Sequence, residues 1–232
     1  MIKILILSFC LISARNVLAS TELAQPADNT GSVSNMMEHL SEHTSSVTNE
    51  LVSQLAAKIK RTTKTLVGNI EVVITSALNQ LAQPIEDFQN NIKSSQCQPL
   101  ITLEELQQRV NSDLSKCTQN LKDIVNTFQT DANEFNVVLE ENVKEIIELP
   151  QQCEDVQNDT GFGSNVSCYV DKIAKINQQI ALVLNSASMT LVHTRQLGEQ
   201  AVQEGRGCAD NVVATTVEYI DKMLASCQLI EQ

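Results

Sequence analysis

Six cysteines from Cys97 to Cys227 constrain this chain more than any other feature, because their spacing reads almost the same from either end. Working inward, the separations are 20 and 19 residues and then 36 and 40, with a short polar stretch between Cys153 and Cys168. Paired from the outside in, as Cys97–Cys227, Cys117–Cys208 and Cys153–Cys168, the position numbers add to 324, 325 and 321. A nearly constant total is what two helices running in opposite directions produce, since partners equally far from the turn sit at equal heights. The sequence thus predicts an all-α fold: a long antiparallel helical hairpin or bundle cross-linked by three disulfides. A parallel alternative, Cys97–Cys208 with Cys117–Cys227, fits the 20 and 19 spacings equally well. The nested set is preferred because the arm leaving Cys168 meets Gly205-Arg206-Gly207 before it has descended the 56 residues that separate Cys97 from Cys153.

Disulfides require an oxidising compartment, and the N-terminus is consistent with one. Lys3, an apolar run from Ile4 to Ile12 and Val17-Leu18-Ala19 have the form of a secretory signal peptide over residues 1–19. Its loss removes Cys10, leaving an even six, and also Lys3 and Arg15, leaving 14 basic against 28 acidic side chains, a net charge of −14. The run is too short to span a bilayer, so a secreted, extracellular chain without a transmembrane segment is expected. Nucleic acid is a poor partner for so acidic a surface. The absence of Trp, with only 2 Tyr and 5 Phe, argues against a sandwich or barrel, and 7 Gly with 4 Pro argue for long helices.

Residues 20–33, with Pro26, Asp28, Asn29 and Gly31, read as a disordered tether, and Ser34 as the N-cap of a long amphipathic helix over 34–96. Within that helix Leu55, Leu66, Ala77 and Phe88 are 11 apart, as are Ile59, Ile70, Leu81 and Ile92. Such a repeat favours a nearly straight or slightly right-handed supercoil. Leu40, Val47 and Leu51 extend the apolar stripe toward the N-terminus, and Pro84 predicts a kink or break near Gln83. The six-cysteine domain over 97–232 follows. Its first arm opens with the capping box Thr102-Leu103-Glu104-Glu105, places Cys117 on an apolar stripe and ends at Pro150. The tip carries Gly161, Gly163 and two sequons, Asn158-Asp159-Thr160 and Asn165-Val166-Ser167, so Asn158 and Asn165 are expected to bear glycans in solvent. The second arm carries Val170, Ile173, Ile176 and Ile180, and Gly205-Arg206-Gly207 is expected to break it before a last helix that includes Cys208 and Cys227.

Candidate chemistry is sparse. His39 and His43 are four apart beside Glu38 and Glu42, a spacing that can offer two imidazoles to zinc, but no third ligand is near and a solvated helix face is the better reading. His193 reads as a core-edge residue. No nucleophile elbow, phosphate loop or paired-carboxylate arrangement stands out, so no catalytic residue, metal site or cofactor is assigned. Lys58, Lys60, Arg61 and Lys64 form the one basic run, read as a solvated face or as a contact for an anionic surface.

The cysteine framework, C-x19-C, C-x35-C, C-x14-C-Tyr, C-x39-C and C-x18-C behind a signal peptide, resembles the TsetseEP-domain family of secreted insect proteins over Cys97 to Cys227. The Cys168-Tyr169 dipeptide is the most specific detail. The resemblance implies a secreted, disulfide-bonded helical domain of insect epithelial secretions with no established enzymatic activity. The Glu-Pro repeat tail of the group's namesake is absent here, so no role of that tail carries over. The expected function is structural or protein–protein interaction without catalysis, through self-association or an unknown protein partner. The alternative is an extracellular carrier of lipid or small apolar ligands between the helices.

Overall fold

A computed structural model describes residues 30–94, 101–154 and 162–228. Every element among them is a helix: α1 (Thr30–Ser94), α2 (Leu103–Cys117), α3 (Gln119–Glu154) and α4 (Phe162–Gln228). At 1.5 Å per residue, α1 and α4 are each on the order of 100 Å long. α1, α4 and the arm made of α2 and α3 each pack on the other two, which makes the described residues a three-helix bundle whose buried side chains gather in four clusters along its length. The long N-terminal helix packs on its own chain.

Contacts along the bundle fix the register. At one end, here the tip, Ser34 of α1 hydrogen-bonds to Glu154 of α3, and Ser41 bonds to Tyr169 of α4 at 2.8 Å. At the other end Phe88 of α1, Leu106 of α2 and Ile220 and Met223 of α4 share one cluster. Between α3 and α4, Gln152 meets Lys172 and Asn120 meets Glu204, so partner numbers rise on one helix as they fall on the other.

The core repeats with two different periods. Near the tip it is a heptad: Thr118 and, on α3, Val125, Ala132, Leu139, Ile146 and Cys153 are buried at every seventh residue, as are Ile173, Ile180, Ala187, Thr194 and Ala201 of α4. On α1 the matching set is Ser41, Thr48, Leu55 and Thr62. Toward the base an 11-residue spacing appears, with Leu66, Ala77 and Phe88 buried on α1 and Ala209 with Ile220 on α4, while α4 also keeps sevens through Val202, Ala209, Thr216 and Met223. α2 buries Leu106, Val110 and Leu114 at successive steps of four, the drift an 11-residue repeat contains.

Local sequence explains the ends. Thr102 Oγ1 accepts from the Glu105 amide at 3.2 Å while the Glu105 carboxylate accepts from the Thr102 amide at 2.8 Å, the expected capping box. The Thr102 amide and, secondly, the Thr102 hydroxyl donate to the Glu105 carboxylate and hold it below its usual pKa.

Five expectations are corrected. α1 begins at Thr30, so residues 30–33, expected to belong to the tether, are helical, and Ser34 lies inside the helix instead of capping it. Pro84 does not break α1: its partly buried ring lies 11 residues beyond Val73 in the core pattern, and Gln80, whose carbonyl loses the proline's missing donor, lies on the exposed side. Pro150 does not end the arm, which continues to Glu154 because Leu149 and Cys153 are both fully buried. Gly205-Arg206-Gly207 does not break α4.

Candidate functional site

The waist of the molecule, where the heptad gives way to the longer period, concentrates its unusual features. The ladder of the α2–α3 arm is interrupted for one residue at Thr118, whose backbone turns to φ −102° and ψ 5°. Its buried hydroxyl donates back to the carbonyls of Ser115 and Leu114, at 3.1 and 3.5 Å. Cys117, just before the interruption, is bonded to Cys208 of α4 with Cα atoms 5.4 Å apart. Gly205 makes that approach possible: a Cβ there would lie 3.1 Å from the Cys117 carbonyl oxygen and 3.9 Å from Val73. Two turns toward the tip, a Cβ on Gly198 would overlap the Leu66 side chain, so α1 and α4 also touch closely there. Of the two glycines that look like a helix breaker in sequence, Gly205 is thus a contact point and Gly207 faces open space.

On the base side of this waist a cleft of about 310 Å³ opens between α1 and α4, lined by Val72, Val73, Ser76, Ala77, Arg206, Ala209 and Asp210. It exists because Ala77 and Ala209 occupy core positions that hold Phe88 and Ile220 one repeat further on. Val72 stands 53% exposed at its edge, so the lining is mainly apolar with one cation and one anion beside it.

The tip is the second polar concentration. Cys153 and Cys168 are bonded with Cα atoms 5.8 Å apart, and the following residue, Tyr169, is buried with its hydroxyl on Ser41. Burial raises the Tyr169 phenol above its ordinary pKa, and the bond to Ser41 opposes that shift. Lys172 Nζ donates to Gln152 Oε1 at 2.9 Å beside the disulfide.

The expected pairs Cys117–Cys208 and Cys153–Cys168 are therefore formed, whereas the expected pair Cys97–Cys227 involves side chains outside the described residues, as does the Asn158 sequon. Asn165 is a correction: it lies in α4, 5% exposed, instead of in a solvent loop. The helix starts at Phe162, before the sequon, and Tyr169 and Cys168 fix the rotation that turns Asn165 inward. His39 and His43 are exposed, His39 lying 3.5 Å from Glu42, and among the described residues no group of three or more His, Cys, Asp or Glu converges to hold a metal. His193 is exposed and not at the core edge. Lys58, Lys60, Arg61 and Lys64 are exposed, and among the described residues none pairs with a carboxylate.

What the sequence pattern missed is the polar part of the core. Ser41, Thr48 and Thr62 are each at most 4% exposed, while Leu40 and Leu51, predicted to be on the core stripe, are 39% and 38% exposed. Arg195 of α4 donates to Thr62 Oγ1 at 3.3 Å, and Thr48 donates to the Thr44 carbonyl at 2.8 Å, so these hydroxyls are buried with partners. The spacing of seven from Ser41 to Thr62 is the signal that hydrophobicity alone conceals.

The fold and waist define a class: an all-α, disulfide-bonded three-helix bundle in which no described helix is long and apolar enough to cross a membrane. No family model, no curated protein and no solved structure matches the chain.

Proposed function

We propose that this is a secreted helical rod whose work is structural or depends on protein–protein interaction, not on catalysis. The observation that carries this reading is the cross-linking of a bundle on the order of 100 Å long at two heights, Cys117–Cys208 and Cys153–Cys168. Such bonds suit a protein that must keep its shape outside the cell. In this reading Cys97–Cys227 closes the base, and residues 97–232 form an antiparallel hairpin on which α1 lies. The resemblance to the TsetseEP-domain family belongs to the same proposal. It is supported by the cysteine spacing and by Cys168-Tyr169, a dipeptide with a disulfide on one residue and the Ser41 contact on the next.

The contact face is assigned to α4, whose segment from Ile176 to Thr194 contains no Asp, Glu, Lys or Arg. Leu182, Met189 and Val192 stand out from it at 62%, 66% and 55% exposure. Apolar groups gathered on one exposed, uncharged stretch are the usual sign of a protein contact. Sedimentation over a range of concentrations tests the self-association form: a reversible dimer that Met189→Glu dissociates is expected, and a monomer at all concentrations contradicts it.

The waist cleft favours a second reading, a carrier of small apolar ligands. An environment-sensitive apolar dye should then bind the protein and be excluded by Ala77→Leu, which fills the cleft; equal binding by both proteins contradicts it.

A further inference from the structure

One sequence motif is at odds with its place in the fold. Asn165-Val166-Ser167 has the form of an N-glycosylation acceptor, yet Asn165 is 5% exposed in the first turns of α4. Its Oδ1 is buried and has no hydrogen-bond partner, so the amide is shielded without being fully paired. Cys168, one turn on, is bonded to the fully buried Cys153. Tyr169, the next residue, is buried and tied to Ser41 of α1. These two anchors hold the start of α4 at the rotation that buries Asn165.

We propose that Asn165 is a conditional glycosylation site, open to glycan transfer only until the Cys153–Cys168 bond closes. This rests on the export reading, because both reactions belong to the secretory compartment. In the transfer, Asn165 Nδ2 attacks C1 of an oligosaccharide carried on a lipid diphosphate. The N–C1 bond forms, the C1–O bond breaks with its electron pair leaving on the lipid diphosphate, and the amide gives one proton to a base of the transferring enzyme. In the closure, the two thiols give up two protons and two electrons to a disulfide oxidant, which is reduced to a dithiol. The coupling between the two is steric. A sugar on Nδ2 must stand in solvent, and the helix rotation imposed by a bonded Cys168 does not allow it. A glycan installed first would hold the start of α4 away from Cys153 and Ser41, so one molecule carries the glycan or the bond, not both.

The test expresses the full chain behind a host secretory leader in eukaryotic cells, so that entry does not depend on the native N-terminus. Peptide mass spectrometry after enzymatic deglycosylation in heavy-oxygen water then reads Asn165 occupancy and the Cys153–Cys168 bond in the same sample. In the natural sequence Asn165 should be mostly bare, and in Cys168→Ser its occupancy should rise several-fold. Ser167→Ala should abolish the signal in both backgrounds without disturbing the Cys153–Cys168 bond. High occupancy on molecules that also carry that bond overturns the proposal, and so does low occupancy in both the natural sequence and Cys168→Ser. A parallel arm with the native N-terminus alone tests export: retention inside the cell with residues 1–19 uncleaved sinks that reading without touching the Asn165 result.

Discussion

The tip half and the base half of the bundle solve one packing problem in two ways. In the tip half all three long helices present the core at every seventh residue, a period that winds helices left-handedly about one another. In the base half α1 buries Leu66, Ala77 and Phe88 at a spacing of 11, which favours straighter winding, while α4 keeps a spacing of seven through Val202, Ala209, Thr216 and Met223. The two also differ in filling. On α1 the tip half buries Ser41, Ser45, Thr48 and Thr62 beside Met37 and Leu55, whereas the base half buries Val73, Ala77, Leu81 and Phe88. Hydroxyl groups bonded across helices, Ser41 to Tyr169 and Thr62 to Arg195, fix a register at little hydrophobic gain, while aliphatic groups contribute about 25 cal/mol per Å² of apolar area buried and tolerate sliding. The waist must reconcile the two periods. There the helix of one arm is interrupted at Thr118, α1 and α4 meet through Gly198, and Cys117–Cys208 locks the level.

The largest effect should come from unlocking that level. Cys117–Cys208 spans 91 residues and Cys153–Cys168 spans 15. In the chain-entropy model the first contributes about 4.5 kcal/mol and the second about 3 kcal/mol. Cys117→Ser with Cys208→Ser should therefore lower the unfolding free energy in denaturant about 1.5 kcal/mol further than Cys153→Ser with Cys168→Ser. Equal losses would mean that the waist is not where the halves are held together.

Next in size are the glycines. Gly198→Val drives a branched side chain into Leu66 and should cost about 1–3 kcal/mol. Gly207→Ala adds a methyl in open space inside a helix and should stabilise by about 0.5–1 kcal/mol. Thermal unfolding of the two variants should move in opposite directions, and a shared direction would remove Gly198 as a contact point.

Tyr169→Phe deletes the tip bond to Ser41 and should cost about 1 kcal/mol, with Ser41→Ala adding less than its separate effect. The phenol also gives the tip an alkaline signature. Its pKa is raised in the folded state, so above pH of about 10 the unfolded chain loses the proton first. The stability tied to the neutral phenol is present below that value and falls as pH climbs through the raised one. Tyr169→Phe should flatten that part of the pH profile. A steeper profile in the variant would deny the phenol its part.

The smallest effect belongs to the base. Glu105 has a lowered pKa, so its contribution to the capping box is present above the ordinary carboxylate range and is lost as pH falls through the lowered value. Glu105→Gln should remove that acid dependence from the start of α2, as followed by hydrogen exchange of the first amides of that helix, while the tip stays unaffected.

Much of this was legible in the chain. The 11-residue sets on α1, the Thr102–Glu105 cap and the heights of Cys117, Cys153, Cys168 and Cys208 all follow from spacing. The tip half of α1 was misread because its core residues are hydroxyl-bearing. A hydrophobic stripe drawn there follows Leu40 and Leu51, which face out, and passes over Ser41 and Thr48, which face in. Gly205 and Pro150 misled for a related reason. Local propensity says break, but Gly205 lies against the Cys117 carbonyl and Cys153 is fully buried just beyond Pro150, so tertiary packing sustains helix at both points. Asn165 was misplaced because a sequon is a pattern of three residues, and its burial depends on Cys168 and Tyr169 beyond it.

The proposed rod has its two arms joined at matching heights from tip to base, two of the three bonds being Cys117–Cys208 and Cys153–Cys168. A peptide map of the intact protein without reduction tests it most directly. Linked peptides joining Cys117 to Cys208, Cys153 to Cys168 and Cys97 to Cys227 are expected. Peptides joining Cys97 to Cys208 and Cys117 to Cys227 would contradict it.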